Sequence, residues 1–365
     1  MEELKKIIFT VTNDISYDQR MARICGTLAD AGYDVEIVGR KRKKSIELQN
    51  RNYKQTRLNC FFDKGKLFYI EYNIRLFFYL LFTKSDIISS VDLDTLLPCF
   101  LVSNIRSKKL VFDAHEYFTE VPEVTNRKWV KLIWETVAKL CIRHVKAAYT
   151  VGQKLAEKFT EKYHKNFEVI LNVPSSSPHP LIPSSQKRII LYQGALNEAR
   201  GLEELIDAMH EIDAECWIAG EGDLSDVLRQ KVLQLNLTEK IKFLGYVSPE
   251  ELNKITAQAY IGINLLKPQG LSYYYSLSNK FFDYIQAGVP QVCVAFPEYE
   301  SINVQHQVAV LCHCEVAEIV QSINNLLNDE ILYEKLKKEC SVAKEIFNWE
   351  NEKNKLLKIY AEVAG

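Results

Sequence analysis

Short apolar runs rich in β-branched residues alternate with segments of helical periodicity along most of the chain. KIIFTVT at 6–12 reads as a strand and NDISYD as a loop. QRMARICGTLADAG then puts Met21, Ile24, Cys25 and Leu28 on one helical face and stops at Gly32. DVEIVG at 34–39 is the next strand. A strand, a helix and a strand in this order imply a right-handed crossover and parallel pairing. The pattern recurs with DIISSV (86–91), KLVFDAH (109–115), a long helix near 127–146, AAYTVG (147–152), a helix near 153–163 and FEVILNV (167–173). The apolar stretch at 67–82 is broken by Glu71, Asn73 and Arg75, which predicts a helix packed on a sheet rather than a membrane span.

The texture changes at NVPSSSPHPLIPSSQKR (172–188), where Pro and Ser fill more than half the positions, as in a linker. A second series follows: the strand RIILYQG, the helix LEELIDAMHEI, the strand AECWIAGEG, the helix SDVLRQKVLQLN and the strand IKFLGYV. The helix PEELNKITAQA, the strand YIGINLL, a helix within SLSNKFFDYIQAGVP and the strand QVCVAF complete it. This reading gives a first α/β domain at 1–172, a linker at 173–187, a second α/β domain at 188–345 and an amphipathic C-terminal helix at 346–365. Two such domains would leave a cleft between them. Ligands of open parallel sheets bind beyond the carboxyl ends of the strands, so the loops after the strands are where chemistry is expected.

Composition adds limits. At 365 residues, 47% hydrophobic and 25% charged, the chain suits two ordinary globular domains. A formal net charge of −1 supplies no global field for nucleic acid, and no such partner is expected. The charge is uneven, with 29 Lys+Arg against 21 Asp+Glu in residues 1–171 and 17 against 26 in 172–365. Much of the basic excess is GRKRKKS at 39–45, which suits either a solvated loop or an anionic membrane surface. The helix RKWVKLIWETVAKLCIRHVK, with Trp129 and Trp134, poses the same choice between core packing and a leaflet. Nine cysteines without a disulfide-like spacing point to a reducing cytoplasm, and the start of the chain enters a strand without a signal-peptide pattern. Cys312–His313–Cys314 lacks the second pair of a zinc site.

The candidate chemistry begins at SLSNKFFDYIQAGVP (276–290). A helix N-terminus repels cations, yet Lys280 sits in the first turn behind the N-cap Ser278. Either Lys280 pairs with Asp283 at i,i+3, or an anion lies above the turn and receives lysine and backbone amides together. The loop YQGALNEARGLEELI supplies Gly194 at a strand end and Arg200 just before a helix, a combination suited to phosphate oxygens. Asp283, one turn further on, suits a ribose diol. In the first half, Asp113, His115 and Glu116 end a strand, and His115 suits either hydroxyl orientation and proton transfer or a backbone bond. Asn13, Asp14, Asp18 and Arg20 lie at the first strand–helix junction, with Asp18 read equally well as an N-cap. Asp92-Leu93-Asp94 fits a divalent metal or, as readily, the caps of the next helix.

TNDISYDQRMARICGTLADAGYDVEIVGR, VFDAHE, YQGALNEARGLEELIDAM, IKFLGYVSPEEL and above all SLSNKFFDYIQAGVP resemble the retaining "group 1", family 4-like glycosyltransferases. The resemblance runs along most of the chain. It implies the GT-B architecture: two Rossmann-like, doubly wound parallel-sheet domains facing a cleft, with a C-terminal helix crossing back to the first. It implies transfer of a sugar from a nucleotide-diphosphate donor, of UDP or GDP type, to a glycan or lipid-linked glycan at the inner face of the membrane. No metal and no further cofactor are expected. Arg200 and Lys280 would contact the diphosphate with amides at Ser278 and Asn279, Asp283 the ribose, and Gly245, Tyr246 and Val247 the base. Gly194 would line the donor loop, and His115 would stand beside the donor sugar and share catalysis with Arg200 and Lys280. Asn13, Asp14, Asp18, Arg20 and Glu116 would form the acceptor side. The chain departs from the family twice. Tyr275 stands where the first acid of the E-x7-E motif is expected, in the donor-sugar region, and Ala195 replaces a basic residue. An epimerase of the same architecture, or a non-catalytic sugar-binding scaffold, is the alternative reading.

Overall fold

The computed structural model describes residues 4–176 and 188–365. Residues 177–187, most of the expected linker, lie outside them. The chain forms two compact units, Met1–Asn172 with Glu352–Gly365, and Val173–Asn351.

The first unit is a seven-stranded sheet in the order β3-β2-β1-β4-β5-β6-β7, parallel throughout. Its strands are β1 (Lys6–Thr10), β2 (Asp34–Lys41), β3 (Lys54–Asn59), β4 (Ile87–Val91), β5 (Lys109–Ala114), β6 (Ala147–Thr150) and β7 (Glu168–Val169). Between them run α1 (Gln19–Asp30), α2 (Gly65–Phe82), α3 (Leu96–Ile105), the short α4 (Pro122–Thr125), α5 (Lys128–Cys141) and α6 (Gln153–Tyr163). The polar edge strand β3 carries no apolar alternation and is absent from the sequence reading.

The second unit is a six-stranded parallel sheet in the order β10-β9-β8-β11-β12-β13. It contains β8 (Ile189–Gln193), β9 (Glu215–Ala219), β10 (Ile241–Gly245), β11 (Ile261–Asn264), β12 (Gln291–Val294) and β13 (Ala309–Cys312). Its helices are α7 (Leu202–Ala208), α8 (Ser225–Gln234), α9 (Pro249–Thr256), α10 (Leu271–Tyr274) and α11 (Asn279–Ala287). They continue with α12 (Pro297–Gln305), α13 (Val316–Asn328), α14 (Glu330–Ala343) and α15 (Trp349–Ala364). In each sheet the order reverses beside the first strand, the position where α/β sheets open a crevice for ligands.

The last helix, α15, belongs to the first unit over most of its length. Tyr360 is fully buried against the Phe9 ring, with its hydroxyl 2.8 Å from Ser89 Oγ and 3.3 Å from Tyr149 Oη. The Glu352 carboxylate accepts the Leu171 amide at 2.9 Å.

One contact fixes how α11 sits on its sheet. Gly262 in β11 lies under the buried Tyr284 ring, whose hydroxyl donates to the Leu191 carbonyl at 2.8 Å. A Cβ at Gly262 would fall 2.5 Å from that ring. Gly262→Ala is therefore expected to cost about 1–3 kcal/mol through overpacking. A lower urea midpoint with an unchanged m-value checks it.

Candidate active site

In the second unit, α11 opens at Asn279 and ends at Gly288, whose φ of +68° is the left-handed C-cap conformation. Ser278 occupies the N-cap position but makes no capping bond. Its hydroxyl donates to Asn264 Oδ1 at 2.9 Å, and its amide donates to Tyr299 Oη at 3.0 Å. The amide expected to face a phosphate is thus engaged by Tyr299 in this structure.

Lys280 makes no ion pair with Asp283. One Asp283 oxygen accepts Gln193 Nε2 at 3.0 Å, and Gln193 in turn accepts Thr256 Oγ1 at 2.7 Å. The lysine instead lays its ammonium over the Tyr192 ring, 4.0 Å from the centroid. Burial, reinforced by the neighbouring Arg200 charge, lowers its pKa to about 7.

Arg200 is held between two residues with positive φ, Ala199 at +63° and Gly201 at +66°. Gly201 is required as well for space, since a Cβ would fall 2.6 Å from Leu265 Cβ. The Arg200 guanidinium lies 5.7 Å from the Tyr273 ring, and its buried Nε has no hydrogen-bond partner. Among the described residues no carboxylate pairs with Arg200 or Lys280.

The loops after β8, β9 and β10 meet on glycine. The Gly194 amide donates to the Ala219 carbonyl at 2.9 Å, and the Gly220 amide to the Gly245 carbonyl at 2.8 Å. A Cβ at Gly194 would stand 3.6 Å from Lys280 Nζ. The structure therefore brings Gly194, Arg200, Lys280 and Asp283 together at one strand edge. Tyr246 is exposed, while Val247 packs against the buried cluster around Leu191 and Tyr284. Tyr275 caps the short α10 and lies edge-on to Tyr274, presenting a phenol where an acid was expected. Tyr192, Gln193, Asn264 and Tyr299 went unnoticed in the sequence because each sits inside an ordinary strand or helix pattern.

In the first unit, a charged cluster gathers at the ends of β4 and β5. His115 Nε2 lies 3.0 Å from Asp113 Oδ2 and 2.9 Å from Arg20 Nε, and the His115 amide donates to Asp92 Oδ1 at 2.8 Å. Burial alone would lower the imidazole pKa, but the Asp113 and Asp92 carboxylates outweigh it and raise the pKa to about 9. Asp92 adopts φ 57° and ψ 172°, a conformation that non-glycine residues rarely accept, and burial raises its pKa to about 6. Asp94, bonded by the Thr12 hydroxyl, is raised by burial to about 7. Neither aspartate caps the following helix through its side chain. They turn to different partners, and no metal-suited group of three His, Cys, Asp or Glu occurs among the described residues.

Three of the expected acceptor-side residues carry internal bonds in this structure. Arg20 is 5% exposed and spends its donors on Asp113 Oδ1 at 3.1 Å, the Ile170 carbonyl at 3.1 Å and His115. Asp18 caps α1 by accepting the Met21 amide at 2.9 Å and also accepts Asn13 Nδ2 at 2.8 Å. Asp14 holds Ser16, Ser45 and Arg57, and those hydrogen bonds outweigh burial to lower its pKa. Asn13 and Glu116 are exposed. Further along the chain, His313 of the Cys-His-Cys cluster pairs with Glu318 at 3.0 Å.

The raised His115 pKa has a stability consequence. Its folded value of about 9 exceeds the ordinary 6.5, so the contribution is complete below about pH 6.5 and lost as pH rises through 9. NMR titration of the imidazole is expected to give a midpoint near 9, moving toward 6.5 in Asp92→Asn.

Comparison with known proteins matches residues 177–341 to the family described as glycosyl transferases group 1, and residues 19–173 to glycosyltransferase family 4. An uncharacterized glycosyltransferase of Methanocaldococcus jannaschii is 34% identical over 91 residues, which span 23% of this chain and 23% of that protein. Among solved structures, the fold is similar to sucrose-phosphate synthase of Thermosynechococcus elongatus, with a TM-score of 0.80 at 16% identity, over 98% of this chain and 99% of that one. It is also similar to Anabaena HepE in complex with UDP, with a TM-score of 0.76 at 12% identity over 98% and 100% of the two chains. TarM of S. aureus gives 0.72 at 12% identity over 100% and 99%. The fold is GT-B, and the chain is similar to the group 1 glycosyltransferases over residues 177–341 and to glycosyltransferase family 4 over residues 19–173.

Proposed function

We propose that this protein is a retaining glycosyltransferase that takes its sugar from a nucleoside-diphosphate donor of UDP or GDP type. The observation that carries the reading is the pair of cations, Arg200 and Lys280, held near Gly194 against aromatic faces and, among the described residues, in no ion pair with a carboxylate. A diphosphate supplies the missing charge. HepE and TarM, of similar fold, have been captured with UDP, which supports the assignment.

Departure of the diphosphate is the costly event in glycosyl transfer, because a further negative charge gathers on an already anionic group as the anomeric C–O bond breaks. Cations already in place stabilise that charge without reorganising at the moment of reaction. Asp283, steadied by Gln193, takes the ribose diol in this reading. His115, clamped by Asp92 and Asp113, orients a sugar hydroxyl or carries a proton. The acceptor hydroxyl attacks from the side the diphosphate leaves, which keeps the anomeric configuration, and no metal is required. The acceptor class is a glycan or lipid-linked glycan of a surface polysaccharide.

Calorimetric titration with UDP and with GDP tests the donor site. Burial and Arg200 lower the Lys280 pKa to about 7, and a bound diphosphate is expected to restore its charge. Uptake approaching one proton per nucleotide is expected at pH about 8, shrinking at pH 6, where the lysine is already protonated. Arg200→Ala or Lys280→Ala should weaken binding by roughly 10- to 100-fold, the range of a lost charge-assisted hydrogen bond. Absence of binding by any nucleoside diphosphate would remove the proposal.

His115→Ala separates chemistry from binding. Sugar transfer from donor to a mixed glycan acceptor panel should fall by on the order of 100-fold or more, as for loss of a proton-transfer group. Nucleotide affinity should change by less than about twofold. A donor turned over without any acceptor would instead mark an epimerase.

A further inference from the structure

Helix α2 carries apolar residues on its outer face as well as on its buried one. Phe68, Tyr72, Leu76 and Leu80 are buried toward the sheet. Leu67, Ile70, Ile74 and Phe78, spaced by three or four residues, share the outer face, and each is 51–55% exposed. A helix covering a sheet ordinarily turns polar residues outward. Here the outer face of α2 is as greasy as the inner one.

The face continues across neighbouring helices. α2 packs on α3, and α3 on α5. Leu101 and Ile105 of α3 are exposed, as are Leu132, Ile133 and Leu140 of α5. Trp134 of α5 is tied inward by edge contacts to Tyr69 and Phe118, whereas Trp129, one turn earlier, is 79% exposed. Exposed apolar side chains repeated along three successively packed helices point to a docking surface rather than scattered exposure.

Cations border it. At the start of α2, Lys41, Arg42, Lys43 and Lys44 are exposed, and Lys43 Nζ lies 4.0 Å from Asp63, next to the half-exposed Phe62. Segment 127–146 carries six Lys and Arg against one Glu. At the C-terminal ends of α3 and α5 opens a cavity of about 420 Å³ with Lys108, Lys146 and Lys165 in its wall. The one acid on α2, Glu71, is occupied by Arg75 and by the amides of Phe61 and Phe62.

We propose that this face of the first unit lies in the headgroup region of an anionic bilayer, with α2 and α5 parallel to its plane. The apolar side chains enter the acyl boundary, and the bordering lysines and arginines meet lipid phosphates. No helix among the described residues is long and apolar enough to cross a membrane, so the attachment is in-plane. A second copy of the chain fits the surface poorly. A twofold interface would set the same cation-rich border against itself. The inference stands on exposure and charge and is independent of the transferase reading.

Flotation of the full chain with vesicles of phosphatidylglycerol and phosphatidylcholine, and with phosphatidylcholine alone, tests it. The wild type should float with the anionic vesicles and be released by high salt. The double substitution Ile74→Glu and Phe78→Glu, at solvent-facing positions, should lower binding at least about tenfold while the circular dichroism spectrum and melting temperature hold. Exchange of Lys41, Arg42, Lys43 and Lys44 for Gln should weaken anionic binding to a similar extent. Val304→Glu, an exposed site in the second unit, should change it by less than about twofold. Failure of the wild type to float, or equal flotation of the double variant, overturns the proposal. So does self-association that the double variant abolishes without any vesicle binding, which would give the face to a second copy.

Discussion

A parallel sheet obliges the chain to leave every strand at the same edge and to return across a face of the sheet. In this protein that obligation gathers the loops after β8, β9 and β10 into one place, and it does so closely enough to exclude side chains. A Cβ on Gly220 would fall 1.9 Å from the Gly194 carbonyl oxygen. Glycine at those strand ends therefore lets three backbones touch, and the space left above them goes to Arg200 and Lys280. The same obligation in the first unit sets Asp92, Asp113 and His115 at the ends of adjacent strands.

The two units treat buried charge in opposite ways. In the first, Arg20 is closed against Asp113, and His115 is clasped between two carboxylates, so the cluster holds its charges as an internal network. In the second, the cations face the rings of Tyr192 and Tyr273. An aromatic face attracts a cation without supplying a full negative charge. A carboxylate in the same position would satisfy the lysine and repel an arriving phosphate. The depressed pKa of Lys280 follows directly from this choice: burial and Arg200 oppose its charge, and Asp283, engaged with Gln193, offsets them only weakly.

The alternation of strands and helices was legible because apolar periodicity records burial, and burial is what a parallel sheet between helix layers imposes. The boundaries of α11 were legible from Ser278 and Gly288 for local reasons. The partners were not. Ser278 reads as an N-cap, yet it serves Asn264 and Tyr299, which lie 14 and 21 residues away. Asp14, Asp18 and Arg20 look like a polar cluster for a ligand, and sequence holds no sign that Ile170 and Asp113 complete the hydrogen bonding of Arg20. The outer face of α2 escaped as well. An apolar run interrupted by Glu71, Asn73 and Arg75 predicts a helix against a sheet, and nothing in that pattern says that its second face is left uncovered.

The closing helix gives the first unit a dependence on time. Tyr360 fills the space beside Phe9, Ser89 and Tyr149, so a ribosome that has finished β7 has not yet delivered part of the hydrophobic interior to which that strand belongs. The whole second unit must be synthesised first. Contacts separated by so much chain close slowly. During that interval the incomplete sheet exposes the apolar surface that α15 later covers, the kind of surface that makes a partly folded chain prone to aggregate.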